Sequence, residues 1–233
     1  MKFEDINIIY EDNHLLVVVK PQNMPVCPDS SRDQNLLDLL KEYIKVTENK
    51  SGEAFLGLVH RLDRPTGGVM VFAKTSKAAS RLFESIKEQV FEKYYLAIVK
   101  GVPKQPKGII KDALYKDINK NQVYCVPIAT EGAKLAILEY EIIDKVDELS
   151  LLKINLITGR SHQARVQLKN MGTPIFADAK YGEAQIGANL ALWAYSLKFP
   201  HPVTKEIMYF IVYPPINEVP WHIFDLNMHL AVI

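Results

Sequence analysis

FLGLVHRLDRPTGGVMVFAK, residues 55–74, sets two apolar runs, 55–59 and 69–73, around the polar segment HRLDRPTGG. Strand, loop, strand is the simplest parse. Working outward, NIIY (7–10) and LLVVV (15–19) flank the turn residues 11–14 and read as a hairpin. Its second strand is apolar throughout and is therefore predicted to be buried. Pro21, Pro25 and Pro28 end it. LLDLLKEYI (36–44) places Leu36, Leu37, Leu40, Tyr43 and Ile44 at helical spacing. Residues 76–90 put Ala79, Leu82, Phe83, Ile86 and Val90 on one face of a helix with Thr75 or Ser76 as N-cap. YYLAIVKG is a strand that stops at Gly101 and Pro103.

The second half reads mostly as sheet. KLAILEYEII (134–143) and LSLLKINLI (149–157) bracket the acidic turn DKVDE, an antiparallel pair. Residues 161–171 read as a helix capped by Ser161 and ended by Gly172, with Pro174 just beyond. Two further strands, 190–199 and 206–213, flank the turn PHPVTK. Strands outnumber helices and hairpins predominate, which predicts an α+β fold: a largely antiparallel mixed β-sheet with flanking helices. No repeat, low-complexity tract or linker interrupts the chain, so residues 1–233 are expected to form one domain of one or two lobes.

With 233 residues, 48% hydrophobic and 24% charged, the chain is an ordinary globular one. A core of this size buries close to three quarters of the unfolded surface, which excludes disordered and disulfide-dense classes. Cys27 and Cys125 form no CxxC pair or metal-ligand spacing and read as thiols of a reducing compartment. No segment has about 18 uninterrupted apolar residues, and acidic residues precede any run long enough for a signal peptide. A cytoplasmic protein without membrane association is expected. Net charge is only +1, so any nucleic-acid partner must meet a local patch. The run of six lysines from Lys87 to Lys111 is one candidate patch, though a solvated strand edge and loop is the more common fate of such a run taken alone.

Two segments carry chemistry. HRLDRPTGG packs four ionisable residues, a Pro and a Gly pair into a loop held by buried strands, where reactive groups usually sit. Asp63 is its nucleophile or base; the competing reading is a tight connection in which Asp63 pairs with Arg61 or Arg64. TGRSHQAR (158–165) follows a strand and opens a helix, so backbone N–H groups and two arginines, Arg160 and Arg165, converge on a ready anion site. Helix-start electrostatics and a surface arginine are the plainer alternative. His60, Asp63 and His162 imitate a two-histidine, one-carboxylate metal site, but nothing fixes them within coordination distance and the adjacent arginines would repel a cation. Tyr94 and Tyr95 are neighbours on a strand, so only one can face the Asp63 loop.

Together these residues resemble the pseudouridine synthases of the RluA type, which isomerise uridine to pseudouridine in RNA. The similarity runs through nearly the whole chain: Lys20-Pro21, HRLDRPTGG, EKYYLAIVKG, TGRSHQAR, GTPIFADAKYG (172–182) and LWAYSLKFPHP (192–202). It implies a mixed sheet with a central RNA-binding cleft. By the resemblance Asp63 is the catalytic aspartate, Tyr95 the tyrosine of the K-x-Y-x-A strand and Arg165 the last arginine of TGRxHQxR. Lys20, His60, Arg61, Arg64, Arg160 and His162 are implied RNA-binding residues, with Arg61 filling the space left by the flipped uridine. Asn23, Gly67, Gln167 and Trp193 stand where the family usually has Gly, Ser, His and His.

The resemblance leaves open whether Asp63 attacks C1′ or removes the 2′ proton. Arg165 is expected to pair with Asp63 and keep it ionised, so that Arg165→Met impairs turnover while folding stays largely intact. Tyr95 either delivers the late proton at C5 or stacks on the base. No cofactor and no metal is implied; the partner is ribosomal or transfer RNA, bound by a monomer without an S4 domain. Two rival functions keep the same residues: an N-glycosylase that frees uracil, and a catalytically silent RNA-binding module with the lysine run as its footprint.

Overall fold

The computed structural model describes residues 2–230. Strands β1 (Asn7–Glu11) and β2 (Leu15–Lys20) are followed by helix α1 (Leu36–Thr47), β3 (Gly57–Leu58), β4 (Gly67–Ala73) and helix α2 (Ser76–Lys87). Next come β5 (Glu92–Lys100), β6 (Lys107–Asp117), β7 (Gln122–Val126), β8 (Lys134–Val146) and β9 (Leu149–Leu156). Helix α3 (Gln163–Asn170), β10 (Leu192–Pro200), β11 (Ile207–Ile211) and the short α4 (Leu226–Leu230) complete the order. These elements pack as two compact units. The first holds the chain up to Glu92 together with Ala194–Val212, the second Lys93–Trp193 together with the segment from Tyr213 on. Among the described residues no helix is long and apolar enough to cross a membrane.

In the first unit β2 pairs antiparallel with β1 on one side and β4 on the other; β10 lies beside β4 and takes β11 as its antiparallel partner. All of β4 and residues Leu15, Leu16, Val17 and Val18 of β2 are buried. Side chains alternate between faces, so strands apolar at every position are covered on both. On one face α2 lays Ala78, Ala79 and Leu82 against Leu15, Val17, Val69, Val71, Leu197 and Phe199. Helix α2 is shorter than its sequence pattern predicts. It ends at Lys87, Gln89 turns left-handed, and Phe83 and Val90 are exposed because the buried stripe runs through Ala78, Ala79, Leu82 and Ser85.

The second unit is a sheet in the order β5-β9-β8-β6-β7, every pair antiparallel. Strands β6 and β7 escape the sequence reading, which assigns no element between Pro103 and Lys134. Strand β7 is the edge strand and β6 lies beside it, both with one face exposed, so their apolar alternation is diluted by lysines and tyrosines. Helix α3 packs Val166 onto Leu114, Val123 and Ala136. Through the pairings Tyr95↔Ile154 and Ile154↔Tyr140, Tyr95 shares that face of the sheet. Tyr94 points to the other face, beneath the Lys153 ammonium at 5.1 Å from its ring centre.

A single carboxylate ties the two ends of the first unit together. Asp12 Oδ1 accepts the N–H groups of His14 and Leu15, each at 2.7 Å, and Oδ2 accepts the Tyr10 hydroxyl and His201 Nε2, each at 2.9 Å. His201 sits in the β10–β11 turn, where its Nδ1 accepts the Thr204 N–H at 3.0 Å, so Nε2 carries the proton given to Asp12. Burial alone would raise the Asp12 pKa, but the hydrogen bonds from His14, Leu15, Tyr10 and His201 outweigh it and hold the carboxyl below its usual range. Its contribution to stability is therefore present above the ordinary carboxylate pKa of about 3.9 and is lost as pH falls through the lowered value. Asp12→Ala is expected to cost about 2 kcal/mol at neutral pH. The deficit should be smaller in urea melts run near pH 3, and an equal deficit at both pH values would contradict this account.

Candidate active site

The HRLDRPTGG loop is held by the last residue of β2 and the segment that follows it. Lys20 is wholly buried, and its ammonium donates to the carbonyls of Pro21 at 2.9 Å, Arg64 at 3.0 Å and Thr66 at 2.7 Å. Gln22 Nε2 donates to the carbonyl between them, that of Pro65, at 3.1 Å. Three successive carbonyls after Asp63 are thus fixed by two side chains two residues apart in the KPQ segment. The Thr66 N–H closes the turn on the Asp63 carbonyl at 3.0 Å. Burial lowers the Lys20 pKa to about 7, against the pull of the Asp63 charge and with the push of Arg64. Only the protonated amine has three hydrogens for three carbonyls. The expectation that Lys20 contacts RNA is corrected: its charge is spent inside the loop.

The rest of the loop divides between anchored and open side chains. His60 Nε2 accepts the Val71 N–H at 3.1 Å and its ring lies against Phe91, so His60 braces β4. Arg64 donates from Nε to the Asn23 carbonyl and from Nη1 to Ser31 Oγ, each at 3.2 Å, and its Nη2 pairs with Asp33. Asn23 supplies this carbonyl from a left-handed conformation, φ 63°, which Asn tolerates. Asp63 is half-buried and Arg61 exposed. Of the Gly pair, Gly68 is obligatory: at φ 121° a Cβ would stand 2.2 Å from the Ala194 carbonyl oxygen.

In the second unit the TGRSHQAR motif is fastened to β8. Gln163 is buried; its Oε1 accepts from Thr158 Oγ1 at 2.8 Å and the Arg160 N–H at 3.0 Å, and its Nε2 donates to the Ile137 carbonyl at 3.0 Å. Arg160 is exposed, with Nε donating to the Leu135 carbonyl at 2.9 Å. The predicted Ser161 cap is corrected. His162 occupies the N-cap position in a left-handed conformation, φ 52°, makes no side-chain cap, and α3 begins at Gln163. The His162 ring instead meets the Tyr181 hydroxyl, 2.6 Å from Nδ1.

Arg165 is buried and pairs side-on with Asp178, Nε to Oδ2 at 2.8 Å and Nη2 to Oδ1 at 2.7 Å. Replacing Arg165 by Met leaves that buried carboxylate unpaired at a cost on the order of 3–5 kcal/mol. The expectation that this variant folds largely intact therefore gives way. Sequence reasoning missed Asp178 and Tyr181; their only signal was membership in GTPIFADAKYG. Gln167 is also wholly buried, donating to Asp112 Oδ2 at 3.0 Å, and Trp193 is buried as well, so both departures from the family pattern concern packing. Among the described residues no three His, Cys, Asp or Glu side chains gather as a metal-ligand set.

An antiparallel α+β scaffold that pins an aspartate loop and a TGRxHQxR helix start defines the pseudouridine synthase class. The RNA pseudouridylate synthase family matches this chain over residues 14–170. An RNA pseudouridine synthase of Aquifex aeolicus is 34% identical over 224 residues, 90% of this chain and 70% of that protein. The ribosomal large subunit pseudouridine synthase C of Escherichia coli is 34% identical over 211 residues, 86% of this chain and 64% of its own length. The solved structure of human RNA pseudouridylate synthase domain containing 4 shares the fold with a TM-score of 0.75 at 24% identity, covering 90% of this chain and 88% of that one. This chain belongs to the RNA pseudouridylate synthase family, whose members are isomerases.

Lys20→Met is expected to strand three carbonyls, that of Thr66 fully buried and those of Pro21 and Arg64 partly so, and to cost on the order of 3 kcal/mol in urea unfolding. Hydrogen exchange at the Thr66 amide, which closes the Asp63 turn, should accelerate in the same variant. Parent-like stability with unchanged Thr66 protection would show that the ammonium does not hold the loop.

Proposed function

We propose that this protein isomerises uridine to pseudouridine in a structured RNA, with Asp63 acting at the ribose and Tyr95 and Arg165 completing the site. One observation carries the reading: a single chain of this family presents both the HRLD loop and the TGRSHQAR helix start, each with its backbone polar groups anchored by buried side chains. Such anchoring suits catalysis, because a carboxylate must be held within a fraction of an ångström of its target to contribute fully. The names of relatives such as the Escherichia coli protein favour large-subunit ribosomal RNA over transfer RNA as the substrate.

Either route at the ribose needs Asp63 ionised, and the family resemblance assigns Arg165 as the cation that would favour that state. Tyr95, on the α3 face of the second sheet, is the group for the C5 proton or for stacking on the base. Exposed Arg61 is placed on the same loop as Asp63 and suits insertion into the stack from which the uridine leaves, a step that costs a few kcal/mol. Isomerisation exchanges no electrons with a second molecule and transfers no group, so the reaction calls for no redox or carrier cofactor. We take the protein to act as a monomer, since one chain carries every motif residue of the site, and place it with its RNA substrate in the cytoplasm.

RNA labelled with tritium at uridine C5, drawn from a strain lacking this gene, is expected to release tritium with the parent protein. With Asp63→Ala release should fall at least ~10³-fold. Fractionating the RNA then names the substrate. Free uracil in the supernatant would establish a glycosylase instead, and RNA binding without release would establish a silent binding module. In the Tyr95→Phe variant, loss of release assigns proton transfer to the hydroxyl, whereas retained release assigns stacking.

A further inference from the structure

GTPIFADAKYG, residues 172–182, takes no part in the chemistry proposed above, yet its side chains hold two residues of the TGRSHQAR motif. We propose that Asp178 and Tyr181 are positioning residues that fix the Arg165 guanidinium and the His162 imidazole, and so set turnover rather than RNA affinity. The inference rests on the preceding reading of Arg165 as a residue of the site.

The Arg165–Asp178 pair is side-on, two parallel N–H to O bonds of 2.8 and 2.7 Å, with side-chain exposures of only 6% and 1%. A bidentate guanidinium–carboxylate pair fixes a plane, where a single contact fixes only a distance. Asp178 is itself immobilised: its Oδ1 also accepts the N–H groups of Lys180 at 3.0 Å and Tyr181 at 3.1 Å, and its carbonyl accepts the Gly182 N–H at 2.8 Å. Ala177, just before it, takes the left-handed conformation, φ 58°.

Tyr181 completes the clamp. Its ring centre lies 5.1 Å from Arg165 Cζ, covering the guanidinium from one side. Its hydroxyl accepts the Val123 N–H at 2.9 Å and meets His162 Nδ1 at 2.6 Å, and the His162 and Tyr181 rings stand edge to face. One tyrosine thus touches both motif residues and is anchored in turn to β7.

A purely structural purpose is a poor match for this arrangement. Desolvating two charges cancels most of their attraction, so a buried ion pair stabilises a fold no better than apolar side chains of similar volume. What it supplies is orientation. Asp178 takes the Nε and Nη2 edge of Arg165, and the Nη1 corner lies outside that pair, directed by it. Asp178 is fit for the task because it stays ionised: burial alone would raise its pKa, but the hydrogen bonds and charge of Arg165, with the N–H groups of Tyr181 and Lys180, outweigh that and hold it below the usual range.

Asp178→Asn, Asp178→Glu and Tyr181→Phe test the inference with two readouts, steady-state tritium release and the ¹⁵N–¹H signal of the Arg165 side chain, assigned by its loss in Arg165→Lys. In the parent, the Arg165 Nε–H should be protected from exchange. In Asp178→Asn that protection should be lost, with kcat down about 10²-fold and KM within about twofold. Asp178→Glu should recover about tenfold of the loss, and Tyr181→Phe, which keeps the ring and the ion pair, should lower kcat about fivefold. Unchanged kcat in folded Asp178→Asn, or a loss confined to KM, overturns the inference. Should Asp178→Asn fail to fold, parent-like kcat in Tyr181→Phe overturns it alone. A parent that releases no tritium while its Arg165 signal is protected refutes the isomerase reading and the claim on turnover, but not the clamp.

Discussion

The Lys20 ammonium lies wholly inside the first unit and gives its three hydrogens to three carbonyls, two of them in the loop that carries Asp63. A reactive loop between buried strands cannot pair its backbone in a sheet ladder, yet its carbonyls are withdrawn from water all the same. Something must satisfy them, and a charged donor on the last residue of β2 does so at the greatest strength available. Lys20 and Gln22 account for every carbonyl from Arg64 to Thr66. The loop geometry follows from that requirement more than from the residues of the loop itself.

The second unit solves the same problem with neutral groups. Gln163 and Thr158 satisfy the turn at Arg160 and lock it to Ile137 of β8, so the polar side chains of TGRSHQAR are mostly structural. Arg160 remains exposed, whereas Arg165 turns inward to a carboxylate thirteen residues away in sequence. The motif therefore serves two ends: one part builds the turn, and the other presents charge. A single strand divides its tyrosines in the same manner, Tyr95 toward α3 and Tyr94 toward Lys153.

Electrostatics in both units rest on carboxylates kept ionised against burial. Asp12 and Asp178 are each raised by desolvation and lowered further by the hydrogen bonds they accept, the first by a turn and a histidine, the second by an arginine. Acid should therefore loosen both units over the same carboxylate range, for separate local reasons.

Much of this was legible in the sequence. The apolar runs of β2 and β4, the hairpin turns and the helical spacing of α1 are local patterns, and local patterns survive in a linear reading because strand and helix periodicity involve near neighbours. The HRLD and TGRSHQAR segments likewise announced themselves by composition. What the sequence could not determine is where each polar group finds its partner. Lys20 reads as a surface cation until the path of the chain buries it; His162 reads as part of a capped helix until Tyr181 claims its ring. His201 reaches Asp12 across 189 residues. Strands β6 and β7 were missed because an exposed face blurs their alternation. Periodicity is fixed by adjacent residues, but the satisfaction of buried charge and backbone is fixed by whatever the fold brings alongside, and only the tertiary structure decides that.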